Sequence, residues 1–333
     1  MELRKVQEMG GGTLLVSLPK EWVKQSMVKR GSILAIEARK DGVLVIYPFQ
    51  KKEKSILETT IQYPKEKIEY LINEITGAYL LGYDLIKIHG KERITYDDRE
   101  RIKEVVRHLI GLEIVEEDSQ TILIQFLLEP TTLTPEKIIR RMHIISRGMY
   151  KDAITSLIEN DERLVRVVAE RDDEVDRLHF LLVRLIRSAL LDFKLLNKIE
   201  LNMIDCLDYR IVSSLLETVG DVSVEMVKTM LKLPKLYFDD QLVSILKDSG
   251  QILERMQDLS VKAFLTKNMK DARQVVELFT ILSSKLNGYE KMFSCQPLEV
   301  FVGLSSIFSS IIKIGRCHVD IADLSVTMYP TVR

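Results

Sequence analysis

The stretch VVAERDDEVDRLHFLLVR, Val167 to Arg184, decides how the C-terminal half of the chain is read. Its apolar residues recur at helical spacing, which places Val165, Val168, Asp172, Asp176, His179 and Val183 on one face. Two carboxylates four residues apart on a mostly apolar stripe repel each other, and they are costly to desolvate without a positive partner. A second pair with the same spacing, Glu217 and Asp221, stands in SSLLETVGDVS, Ser213 to Ser223. There Ser213, Ser214 and Gly220 are small enough to let another helix approach. Packed antiparallel, the two helices bring four carboxylates together as an oxygen-only donor set. Such a set suits iron, manganese or magnesium, with zinc less favoured. The same spacing also suits a solvated face braced by the i, i+4 pairs Arg166–Glu170 and Asp173–Arg177, and the residues alone leave both readings open.

Outward from this stretch, everything after Pro135 has the periodicity of long amphipathic helices. Six are expected, over 135–159, 161–191, 195–232, 239–265, 268–292 and 297–327, with Asp161 and Asp271 as caps and Pro234 and Pro297 as breakers. Arg147, Leu157, Asn160, Val167 and Val168 recur 108 residues later as Arg255, Leu265, Asn268, Val275 and Val276. With a three-plus-three helix count, this favours two tandem three-helix bundles, 135–232 and 239–330. At that offset Asp172 and Asp176 become Thr280 and Ser284. In the last helix Lys313 and Cys317 take the places of Glu217 and Asp221. A protonated lysine repels a cation, so the second bundle is expected to bind no metal.

Upstream, residues 55–130 alternate between strand and helix patterns and read as a small α/β domain without a catalytic motif. Residues 1–50 read as short strands and turns around one short helix, with a hairpin at Lys40-Asp41-Gly42. Fifty residues bury little core, so this module is expected to need a second copy. Its GGGTLLVSLPKEW, Gly10 to Trp22, has glycines in front of a strand instead of between a strand and a helix. That order excludes a phosphate-cradling loop and points to a turn. Trp22 is expected to pack under the short helix as core. Eight basic against five acidic residues give this module +3, while the remaining 283 residues sum to −4. Such asymmetry suits a small head facing a polyanion.

The 333 residues are 46% apolar and 29% charged with a net charge of −1, as in a soluble globular protein. Cys206, Cys295 and Cys317 are far apart, which argues against a disulfide framework and for a reducing, cytoplasmic setting. No signal peptide is visible. The longest uncharged apolar run, Val300 to Ile312, is shorter than the roughly 20 residues of a spanning helix and reads as a buried one, so no transmembrane segment is expected. No Glu-x-x-His occurs in the helical half, which weakens the alternative of a carboxylate-bridged metalloenzyme in a helical bundle.

Two resemblances connect these segments. RKVQEMGGGTLLVSLPKEWVKQSMVKRGSILAIEARKDGVLVIYP, over residues 4–48, resembles the AbrB/SpoVT swapped-hairpin module. The resemblance implies a homodimeric barrel that binds DNA, with Arg4, Lys5, Lys20 and Lys24 as candidate contacts. The alternative is a head used only for dimerisation. DDEVD followed on the next helix by LLETVGD is similar to the E(D)xxxD motifs of the PhoU family. That likeness covers roughly residues 135–330 and implies a metal ion held by Asp172, Asp176, Glu217 and Asp221. It also implies control of phosphate uptake, through a phosphate transporter or a sensor kinase at the membrane as partner. Together they imply a multidomain, mainly α chain of archaeal type: an N-terminal β swapped-hairpin barrel, a small α/β middle domain and two tandem PhoU-like three-helix bundles.

Overall fold

The computed structural model describes residues 2–38, 42–49, 56–129, 132–233, 238, 240–287 and 297–325. It divides into two compact units with the boundary between residues 55 and 56. In the first unit, β1 (Gln7–Met9) and β2 (Thr13–Leu15) pair antiparallel with Gln7 opposite Leu15. The turn between them needs glycine, because Gly11 and Gly12 have φ of 96° and 81°. The short helix α1 (Lys20–Gln25) starts after Pro19, and β3 (Leu34–Ala38) pairs antiparallel with β4 (Leu44–Pro48). Lys40 and Asp41 of the expected hairpin lie outside the described residues. The two hairpins form separate two-stranded ladders, and no closed barrel exists among the described residues of this single chain.

This unit buries none of its described side chains. Leu3, Leu14, Met27, Ile33, Ile36 and Phe49 are each more than 60% exposed, and Trp22 is half-buried instead of forming a core. A module this apolar and this open lacks the burial that offsets chain entropy.

The second unit begins with a four-stranded sheet, β5 (Glu58–Tyr63), β6 (Leu85–Gly90), β7 (Leu112–Glu117) and β8 (Thr121–Phe126), in the order β5-β6-β8-β7. Only β5 and β6 run parallel, joined by α2 (Ile68–Leu80), while α3 (Tyr96–His108) leads from β6 to β7. Alternation along β6 and β8 turns Ile86, Ile88, Ile122 and Ile124 into a core that Leu71, Ile75, Ile102 and Val106 of the helices complete. Thr95 caps α3 by accepting from the Asp98 N–H.

The helical part follows as α4 (Pro135–Glu159), α5 (Glu162–Leu191), α6 (Phe193–Lys198), α7 (Met203–Met230), α8 (Asp240–Thr266), α9 (Met269–Leu286) and α10 (Leu298–Asp323). Helices α4, α5 and α7 form one bundle and α8, α9 and α10 the other, with α4 against α8 and α7 against α10 between them. Helix α10 is apolar and long enough to cross a membrane, with a mean hydropathy of 1.6, but here it packs against α7, α8 and α9.

Three sequence expectations are corrected. The helix expected over 195–232 breaks because Glu200 is left-handed (φ 57°) and Asn202 with Asp205 forms a capping box that starts α7 anew. Asp161 caps α5 as expected, but Asn268, not Asp271, caps α9; Asp271 sits one turn inside, buried and paired with Lys262 at 2.9 Å. The repeat offset is 107, not 108. The left-handed residue that ends the first helix is Asn160 in one bundle and Lys267 in the other, both at φ 53°, and the caps that follow are Asp161 and Asn268.

The α/β domain is fastened to the first bundle through α5. Leu181 to Ile186 are six consecutive buried residues, as on a helix covered on all sides. Within this run the Arg184 guanidinium, 3% exposed, donates to the Tyr79 carbonyl at 2.7 Å and the Gly82 carbonyl at 3.4 Å. It lies 3.8 Å from the centroid of the Phe126 ring and 3.7 Å from Asp84. Burial lowers its pKa to about 10, so it remains a cation at neutral pH. Replacing it by methionine, Arg184→Met, is expected to cost about 3 kcal/mol in urea unfolding by removing charge-assisted bonds from a dry interface. A loss below about 0.5 kcal/mol contradicts this fastening.

Candidate functional site

The four carboxylates singled out in the sequence come from the facing sides of α5 and α7. Asp172 and Asp176 are half-buried on α5, Glu217 is half-buried on α7, and Asp221 is exposed one turn further on. The helices approach closely where Gly220 lies: a Cβ there would stand 3.1 Å from Asp172 Oδ1 and 3.4 Å from the Met149 methyl. Asp172 Oδ1 is buried and accepts no hydrogen bond.

Electrostatics shows that the four act on one another. Burial raises the Asp172 pKa to about 6, helped by the charges of Asp176, Asp221 and Asp173. Burial raises Glu217 to about 7, with Asp221, Asp176 and Asp172 adding to the effect. Asp176 is raised by burial and by Asp221. Opposing charges are few and distributed: Lys228 acts on Asp172, Arg210 on Glu217 and His108 on Asp176. Lys228 and Arg210 are seven residues from Asp221 and Glu217, two turns along the same helix face, so their spacing was readable. His108 reaches the cluster from α3 of the α/β domain, where its carbonyl accepts from Arg177 Nε at 3.2 Å. No local pattern announces that.

Neighbouring residues take structural roles. His179 is buried, with Nδ1 at 2.8 Å from the Ser213 hydroxyl and Nε2 at 3.4 Å from Arg210, and burial pushes its pKa down to about 4. Arg177 bonds His108, and Arg171 pairs with Asp152 on α4. Among the described residues, no three His, Cys, Asp or Glu side chains stand in ligating positions about one point. The cluster is an open concentration of negative charge, and its orphaned Asp172 oxygen and all-carboxylate composition fit a hard cation.

Residues 139–230, which contain all four carboxylates, match the family model of the PhoU domain. This segment is similar to the PhoU domain. Residues 8–55 match the model described as antidote-toxin recognition MazE, bacterial antitoxin, so the N-terminal unit is MazE/AbrB-like. Among solved structures, the chain is similar to PhoU from Pseudomonas aeruginosa at 16% identity, with a TM-score of 0.50 over 57% of this chain and 93% of that one. It is also similar to the phosphate transport system regulatory protein PhoU from Streptococcus pneumoniae, at 14% identity and a TM-score of 0.45, over 57% of this chain and 91% of that one. The first likeness shows that the fold is shared. No curated protein matches the chain.

The corrected offset changes which residues of the second bundle correspond to the carboxylate cluster. Gly315 takes the place of Gly220, because a Cβ on Gly315 would meet Phe279 at 3.1 Å, as one on Gly220 would meet Asp172. The counterparts of Asp172, Asp176, Glu217 and Asp221 are therefore Phe279, Ser283, Ile312 and Arg316, not Thr280, Ser284, Lys313 and Cys317. The Arg316 guanidinium stands 4.6 Å over the Phe279 ring.

Of the proposed DNA contacts, Lys5, Lys20 and Lys24 are exposed, and Lys20 and Lys24 are one turn apart on α1. Arg4 is also exposed, and its guanidinium pairs with Glu2 and reaches the Ser17 hydroxyl at 3.4 Å.

A carboxylate raised above its unfolded pKa favours the folded state at low pH and opposes it as pH rises through the folded value. For Glu217 the window runs from about 4.5 to about 7. In metal-free protein Glu217→Gln is therefore expected to stabilise at pH 7.5, by about 0.5–1 kcal/mol after solvent screening, and to be neutral near pH 4.5. Paired thermal melts at the two pH values measure this difference, and equal stability at both contradicts the raised pKa.

Proposed function

We propose that the chain is a cytoplasmic regulator of phosphate uptake that binds DNA as a homodimer and carries a cation site in its first bundle. The observation that carries the reading is the PhoU domain over residues 139–230, in which four carboxylates crowd together with too little positive charge to balance them. Asp172, Asp176, Glu217 and Asp221 hold the ion, which is iron, manganese, magnesium or zinc. When bound, the cation neutralises the cluster and offers open coordination positions to an anion such as phosphate. The chain's own residues keep the site in shape: Gly220 sets the helix spacing, while Arg210, Lys228 and His108 limit its negative field.

The N-terminal unit supports the dimeric part of the proposal, because its exposed apolar strands need a covering surface and a second copy supplies one. Arg4, Lys5, Lys20 and Lys24 form the DNA-facing set. The regulated partner is a phosphate transporter or sensor kinase at the membrane. The same open hairpins also support a head that only dimerises.

Elemental analysis of purified protein is expected to find metal that is lost in the Asp172→Ala/Glu217→Ala double variant; unchanged content overturns the cation site. Neutralising Arg4 and Lys5 is expected to weaken binding to the gene's own upstream DNA and to lower the salt slope by about 3 to 4 per dimer. A stable dimer that binds no DNA at low salt leaves dimerisation as the role of the head.

A further inference from the structure

The two bundles are related by the 107-residue repeat across α4 and α8 and by a 95-residue spacing between α7 and α10, which pairs Gly220 with Gly315. The same spacings pair Tyr150 with Gln257 and Ser223 with His318. All four of these side chains are fully buried, so both bundles turn polar groups onto their shared boundary. Elsewhere the bundle cores are mostly Leu, Ile, Val and Met.

The boundary satisfies only some of these groups. The Gln257 amide donates to the His143 carbonyl at 3.0 Å and the Ser146 hydroxyl at 2.8 Å, and Ser223 bonds its own helix. Apart from Asp271 Oδ2, which has its ion pair with Lys262, eight buried side-chain polar atoms among the described residues have no hydrogen-bond partner, and five are here: His143 Nδ1, the Tyr150 hydroxyl, Gln257 Oε1 and both His318 nitrogens. The His318 and Tyr150 rings are 6.2 Å apart. Unpaired polar atoms cost about 1–3 kcal/mol each, so this boundary is weaker than an apolar contact of the same area. Its rim is ionic, with Lys151–Glu254 at 3.3 Å, Arg147–Asp258 at 2.7 Å and His143–Asp258 at 3.2 Å, all between α4 and α8.

We propose that this boundary is a proton-sensitive joint: with His143 and His318 neutral the two bundles are closed on each other, and charging His318 opens α8 and α10 away from α4 and α7. The surroundings give a charged imidazole nothing to pair with. From α4, His143 acts on His318 and the Tyr150 ring lies 6.2 Å from its ring, while Glu254 and Asp258 of α8 act on Tyr150. Among the described residues His143 is the one titratable group that acts on His318, and it does so with like charge. His143 itself has Asp258 as counter-ion and Arg147 and Arg140 as like charges. Burial pushes the His318 pKa down to about 3 when closed, so closure is fully favoured above the unfolded value near 6.5 and is lost as pH falls below it. The groups involved belong to neither the carboxylate cluster nor the N-terminal unit.

Hydrogen exchange of the full-length protein at pH 7.5 and 5.0, corrected for intrinsic rates, tests the joint. Amides of α8 and α10 beside the boundary are expected to open about thirtyfold more readily at pH 5.0. Those of β6 and β8, in a separate core, are expected to remain unchanged. In His318→Phe, which cannot take up a proton and fills the space, the local acceleration is expected to disappear. His318→Asn gives the same readout with a polar, uncharged side chain if the phenylalanine variant does not fold. Absence of local acceleration in the native sequence, or its persistence in the folded variant, overturns the proposal.

Discussion

The Arg184 guanidinium is the contact on which the large unit's architecture depends. A cation that is 3% exposed must find acceptors, and it finds them in the backbone carbonyls at the end of α2 and in the face of Phe126. That requirement fixes the α/β domain against the C-terminal half of α5. It also divides the helix, which is about 45 Å long, into two environments. Residues 181–186 in its second half are enclosed on every side, while its first half keeps an open flank where Asp172 and Asp176 meet α7. The fastening places the C-terminus of α3, with His108, beside the carboxylates. The charge balance of the cluster therefore involves a domain that contributes none of its acidic groups.

The cluster itself is under electrostatic stress. Three of its members have raised pKa values because burial and like charge act in the same direction, and the positive groups nearby are too few to cancel them. Gly220 lets α7 come close to these carboxylates, since a Cβ there would stand tight against Asp172 Oδ1 at 3.1 Å. Local discomfort of this kind is tolerated when something outside the chain relieves it.

Much of this was legible in the residues. The 3.6-residue period located the long helices, and i, i+4 spacing placed all four carboxylates on facing sides. The alternation in residues 55–130 anticipated a small sheet with two helices. What escaped depended on tertiary pairing or on one backbone angle. The left-handed Glu200 splits a helix that periodicity alone reads as continuous. A one-residue difference at the corner shifted the repeat register and so misassigned the second bundle's counterparts. The apolar run around Arg184, Leu181 to Ile186, carried a signal of burial on all sides, but its single charge masked it. The polar boundary between the bundles could not be read at all, because its members lie on four helices and are separated by up to 175 residues, from His143 to His318.

The Arg316–Phe279 stack has a different consequence. Where the first bundle collects carboxylates, the second has a positive group covalently built into its own chain, resting on an aromatic face. A guanidinium cannot be chelated, diluted away or outcompeted by another metal, and it keeps its charge at every physiological pH. The two bundles thus treat the same layer differently: the first leaves its carboxylates short of balancing charge from its own chain, and the second places a fixed cation there.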